Sequence, residues 1–165
     1  MEAKHLVILC GLPGAGKTSL AKRLQEREGF YYADVGADKR FAEKVPMWQI
    51  ASDLYKSHGA GRHMVTEGVL ITRARRDGFS DKIWKAVANR NPLMVREPRL
   101  FLIQEDLATL NGRRPSRSVA AYQELSDTME LGSDKFPIQV IDSGIETIDE
   151  RVDFILASLS RGAQV

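Results

Sequence analysis

Apolar residues follow two alternating rhythms along this chain. Short runs read HLVILC from His5 to Cys10, FYYADV from Phe30, HMVTEGV from His63 to Val69, RLFLIQ from Arg99 and FPIQVIDS from Phe136. A run with little polar alternation fits a strand buried on both faces. Between the runs the spacing is helical. In SLAKRLQERE, Leu20, Ala21 and Leu24 share one side, Lys22, Arg23 and Glu26 the other, and Gly29 stops the helix. SDKIWKAVANR predicts a helix ended by Asn91-Pro92, EDLATL and AAYQELSDTM predict two more, and IDERVDFILASL is amphipathic. LMVREP reads as either an extra strand or a loop. Strands alternating with helices imply an α/β fold, a five-stranded parallel sheet flanked by helices on both faces.

Composition narrows this picture without redirecting it. The 165 residues fit one domain, and 43% hydrophobic with 28% charged residues is the balance of a globular protein with a core. Twenty-four Lys and Arg against 22 Asp and Glu leave a formal charge of +2, so any basic surface must come from local clustering. Cys10 is the single cysteine, inside an apolar run, which suits a reducing compartment. The first apolar run is too short for a signal-peptide core or a membrane span. A cytoplasmic protein without a membrane partner is expected.

The chemistry begins where the first run ends. GLPGAGKT, Gly11 to Thr18, has the phosphate-loop spacing G-x-x-x-x-G-K-[ST] between a predicted strand and a predicted helix, the arrangement that confirms such a motif. Gly11, Gly14 and Gly16 let backbone N–H groups turn inward, where a side chain would obstruct phosphates. Lys17 is expected to face solvent and reach the β- and γ-phosphates, and the Thr18 hydroxyl to ligate Mg²⁺. The helix N-terminus adds positive potential. Gly11, Gly14, Ala15, Gly16, Lys17, Thr18 and Ser19 are therefore the expected contacts of a nucleoside triphosphate, with ATP and Mg²⁺ as cofactors.

What receives the phosphoryl group must lie at the carboxyl ends of neighbouring strands. The second strand leads into DVGADKRF, with Asp34, Asp38 and Arg40. Asp38 fits either the N-cap of a following helix or the carboxylate that accepts a proton from an attacking hydroxyl, and the adjacent phosphate loop favours catalysis. Glu67, in VTEG, can hold the water shell of Mg²⁺, bind the acceptor hydroxyl, or remain a solvated strand-end charge. NGRRPSRS, around 111–119, places Arg113, Arg114 and Arg117 together. Composition alone reads it as a solvated basic loop; its position after the fourth strand favours an arginine-bearing lid whose guanidinium forks meet transferring phosphoryl oxygens. Trp48 is read as packing. No N-K-x-D run occurs, which argues against a GTPase switch.

These motifs, LPGAGKT, ADKR, TEG, NGRRPSR and FPIQVID, resemble the small P-loop kinase group that contains the phage polynucleotide 5′-kinase domain. The same group includes gluconate, shikimate and antibiotic kinases and zeta-type toxins. The resemblance implies a P-loop NTPase fold and an ATP-dependent kinase. It implies Lys17 and Asp38 in catalysis, with Asp38 as general base and Asp34 as the alternative. Arg40 and Glu67 would bind the acceptor, and Arg113 and Arg117 the donor phosphates. The acid and arginine after the second strand are closer together here than the group's usual spacing, and Glu67 stands where Asp is more usual. A 5′-hydroxyl nucleic acid end is the expected acceptor, with a small-molecule alcohol as the alternative.

Overall fold

The computed structural model describes residues 4–33, 62–88, 96–113 and 119–161. Five strands, β1 (Leu6–Gly11), β2 (Tyr31–Tyr32), β3 (Met64–Gly68), β4 (Arg99–Ile103) and β5 (Ile138–Ile141), form one sheet. Their order is β2-β3-β1-β4-β5 and every pairing is parallel. Five described helices accompany them: α1 (Lys17–Glu28), α2 (Arg73–Ala88), α3 (Leu107–Arg113), α4 (Val119–Thr128) and α5 (Ile148–Ser160).

The continuous apolar runs arise because both faces of the sheet are covered. Along β1, Leu6, Ile8 and Cys10 pack with Phe79, Ile83 and Val87 of α2, while Val7 and Leu9 face the opposite layer. That second layer holds Leu20, Ala21 and Leu24 of α1 and Val152, Ile155 and Leu159 of α5. β4 alternates in the same way, Leu100 and Leu102 against Phe101 and Ile103. With period-two side chains, a strand covered twice has no face left for polar residues.

Local chemistry sets the helix ends. α1 closes on Gly29 at φ 70°, with the Phe30 N–H bonded to the Leu24 carbonyl at 3.4 Å, a Schellman-type ending. α5 opens on a capping box, the Thr147 hydroxyl accepting from the Glu150 N–H at 3.1 Å. α3 is capped by Asp106, which accepts from the Thr109 N–H at 2.7 Å; that bond holds its carboxyl below the usual range.

Two boundaries differ from the sequence reading. α2 starts at Arg73, well before the expected Ser80, because the charged stretch RARRDG is helical with Arg76 and Asp77 buried. α3 runs to Arg113, so the first residues of the expected lid are helical. Of LMVREP, residues 96–98 are irregular, with the Arg96 N–H bonded to the Lys4 carbonyl at 2.8 Å. The remainder lies outside the described residues. No described helix is long and apolar enough to cross a membrane.

Candidate active site

β1 lies at the middle of the sheet, and its carboxyl end delivers the chain into the glycine loop beside the ends of β3 and β4. Gly11 is required there by close approach: a Cβ on it would sit 2.9 Å from the Ile103 carbonyl oxygen. Gly16, at φ 94°, turns the loop into α1. No side chain caps that helix and no acidic residue occupies its first turn. Its leading N–H groups thus point at an anion position, in contrast to the side-chain cap of α5.

A cavity of about 650 Å³ opens on this loop, lined by Gly14, Gly16, Lys17, Thr18, Glu67 and Arg113 among others. Lys17 does not face solvent as expected. It is 7% exposed and its Nζ donates to the carbonyls of Gly11 at 2.8 Å and Leu12 at 3.0 Å. The apolar stem folds against the loop, and the ammonium satisfies carbonyls that the tight turn leaves facing inward. The charge is held at the loop.

Glu67 is brought directly to the loop. Its Oε1 accepts from the Thr18 hydroxyl at 2.7 Å and its Oε2 from the Tyr32 hydroxyl at 2.9 Å. The parallel register between β1 and β3, with Leu9 opposite Glu67, places the carboxylate at the sheet end where α1 begins. Tyr32, read from sequence only as a strand residue, fixes the second carboxylate oxygen.

Arg113 sits on the last turn of α3 and reaches back across the loop, donating to the Gly14 carbonyl at 2.9 Å. Asp34, Asp38, Arg40, Arg114 and Arg117 lie outside the described residues, as does Trp48.

Two residues that the sequence reading missed complete the surroundings. Arg151 of α5, 6% exposed, donates to the Ile145 carbonyl at 2.8 Å and lies against the loop at Ala15. Its Nη2 pairs at 3.1 Å with Glu105, which follows β4. The helical period carried a signal: Arg151 stands one turn before Ile155 on the stripe that buries Val152, Ile155, Ser158 and Leu159. Among the described residues no cluster of three or more His, Cys, Asp or Glu side chains is suited to a metal. Thr18 and Glu67 are the neighbouring oxygen donors beside the phosphate loop.

No family model matches the chain, and no curated protein matches its sequence. Solved structures do match its fold. A gluconokinase from Sinorhizobium meliloti 1021 superposes with a TM-score of 0.63 at 17% identity, over 99% of this chain and 95% of its own. A sugar kinase from a Janibacter species gives 0.63 at 16%, covering 98% and 96%. Shikimate kinase from Acinetobacter baumannii, in complex with shikimate, gives 0.57 at 13%, covering 98% and 96%. The fold is that of the P-loop kinases. The particular likeness to a polynucleotide 5′-kinase is not among these findings.

Proposed function

We propose that this protein is an ATP-dependent kinase that phosphorylates a hydroxyl of a small molecule. One observation carries the donor half: Lys17, Thr18, Glu67 and the uncapped start of α1 converge on one cavity at the carboxyl ends of β1 and β3. The acceptor half draws on the structural neighbours, a gluconokinase, a sugar kinase and a shikimate kinase, which match this chain over nearly the full length of both. The expectation of a polynucleotide end finds no such support, and the small-molecule alternative takes its place.

The chemistry follows from these parts. Loop N–H groups and Lys17 bind the β- and γ-phosphates and stabilise charge that spreads over the transferring oxygens. Mg²⁺, when bound with ATP, would neutralise the charge that develops on the phosphates. Thr18 and Glu67 would hold it, a hydroxyl and one carboxylate beside phosphates being its usual company. The acceptor oxygen attacks the γ-phosphorus, and the bond to the bridging oxygen breaks. A phosphate ester and ADP form as the hydroxyl proton passes to a carboxylate. Asp38, or else Asp34, is the proposed proton acceptor; Arg40 is proposed to hold an acceptor anion, and Arg113 and Arg117 the donor phosphates. A reducing, cytoplasmic setting agrees with the single buried thiol.

The decisive experiment offers the purified protein γ-labelled ATP and Mg²⁺ with a panel of sugar acids, sugars, shikimate-like cyclitols, nucleosides and 5′-hydroxyl oligonucleotides. Labelled product is expected with one class of small alcohol and should be lost in the Lys17→Ala variant. Labelling of oligonucleotides alone would return the acceptor to nucleic acid. No labelled product with any acceptor, alongside ATP binding, would reduce the protein to a nucleotide-binding module.

A further inference from the structure

Glu105 is a buried carboxylate without a place in the phosphotransfer chemistry, yet both arginines of the phosphate cavity converge on it. Its side chain is 6% exposed. Arg151 meets its Oε2 at 3.1 Å and Arg113 meets the same oxygen at 3.3 Å. The two guanidinium groups line the phosphate cavity, whereas Glu105 lines a separate cavity of about 320 Å³ bounded by Leu12, Ala15, Ile103 and Asp142. The carboxylate thus holds the arginines from behind the loop instead of confronting the phosphates itself.

We propose that Glu105 is a positioning residue that aims Arg113 at the donor phosphates, with Arg151 as its fixed counter-charge. This rests on the ATP-donor reading given above. The asymmetry between the two arginines supports the assignment. The Arg151 side chain is 7% exposed and tied to the Ile145 carbonyl just ahead of α5, so it neutralises Glu105 whether or not a nucleotide is present. The Arg113 side chain is 45% exposed. Among the described residues two contacts define its direction, the Glu105 carboxylate at 3.3 Å and the Gly14 carbonyl at 2.9 Å. A guanidinium that is aimed before binding does not give up its rotamer freedom when phosphate arrives. Loss of the Glu105 charge also leaves two like charges side by side, and the exposed one, Arg113, is free to swing away.

The test is a double-mutant cycle on ATP binding, measured by calorimetry with Mg²⁺-ATP for the unaltered protein, Glu105→Gln, Arg113→Ala and the pair. Glu105→Gln is expected to weaken ATP binding about 3- to 10-fold, the cost of ordering one long side chain. In the Arg113→Ala background the same change should cost less than about 2-fold, because there is nothing left to aim. A merely structural Glu105 would cost the same factor in both backgrounds, which would overturn the proposal while leaving the donor reading intact. Absence of ATP binding by the unaltered protein would overturn both. Should Glu105→Gln fail to fold, Glu105→Asp replaces it in the cycle: it keeps the charge for Arg151 but shortens the reach toward Arg113. Equal costs with Asp in both backgrounds would again overturn the proposal.

Discussion

Cys10 is the penultimate residue of β1, with no exposure, in the core layer that α2 covers. Burial pushes its thiol from 9.0 up to about 12, and the nearby positive charges of Arg76 and Lys17 offset only part of that. The native chain should therefore be inert to iodoacetamide at about pH 8, since the reacting species is the thiolate. In denaturant the same thiol should alkylate at the rate of a free cysteine; rapid labelling of the native chain, followed by mass spectrometry, would contradict the burial. The sign for stability is equally definite. Between pH 9 and 12 the unfolded chain releases a proton that the native chain keeps, so this contribution is fully present below 9 and fades as the pH rises toward 12. What local spacing did make legible is the meeting of the loop glycines, Lys17, Thr18 and Glu67, which motif and strand position bring to one sheet end. Glu105 and Arg151 were not legible, because they meet across the sheet end from two distant stretches of chain. The direction of the Lys17 side chain also needed the folded loop, whose carbonyls capture the ammonium.

At the scale of elements, α2 shows how a charge pattern misleads. TRARRDG offers no apolar period, yet Arg76 is fully buried and donates to four backbone carbonyls. They are Leu70 at 2.9 Å, Ile71 at 3.0 Å, Gly132 at 2.6 Å, and Glu130. Asp77 beside it accepts from the Ser133 hydroxyl and from the Asp134 N–H at 3.0 Å. α2 thereby clamps the segment that follows β3 to the segment that follows α4. A period of apolar residues could not announce this, since the buried side chains are themselves ionic and are satisfied by main chain remote in sequence. Replacing Arg76 with Met keeps much of the stem's packing but strands several buried carbonyls, each costing about 1–3 kcal/mol if water cannot reach it. Arg76→Met is expected to lower unfolding stability by about 3–5 kcal/mol, measured as a fall in the urea midpoint at constant slope. A loss under about 1 kcal/mol would mean that the clamp contributes little. By contrast the exposed pairs of Arg23 and Arg27 with Asp149 and Asp153, between α1 and α5, should barely register when removed.

The whole molecule was legible as a class but not as an order. Five apolar runs alternating with helices imply a covered parallel sheet, and the sheet is parallel throughout. That β3 and β4 both flank β1, leaving β2 and β5 outside, depends on which way each crossover passes, and residue spacing does not encode that. The order nevertheless fixes where a bound nucleotide would act on the fold. The loop, α1, the end of β3 and α5 all border one cavity, so a bound triphosphate would brace α1, α5 and the end of the sheet at once. Binding to the native state alone stabilises it by about 2.7 kcal/mol at a ligand concentration of 100 times Kd. For a chain of 165 residues each kcal/mol raises Tm by roughly 2–4 °C, so saturating Mg²⁺-ATP should raise Tm by about 5–10 °C. Lys17→Met, which keeps the buried stem but removes the charge, should melt near the unaltered protein without nucleotide and lose most of that gain. If the variant gained as much as the unaltered protein, ATP would be held elsewhere than at the loop. A shift in the unaltered protein alone, followed by a further rise with one acceptor class and the non-hydrolysable ATP analogue, would give the acceptor its chemistry without requiring turnover.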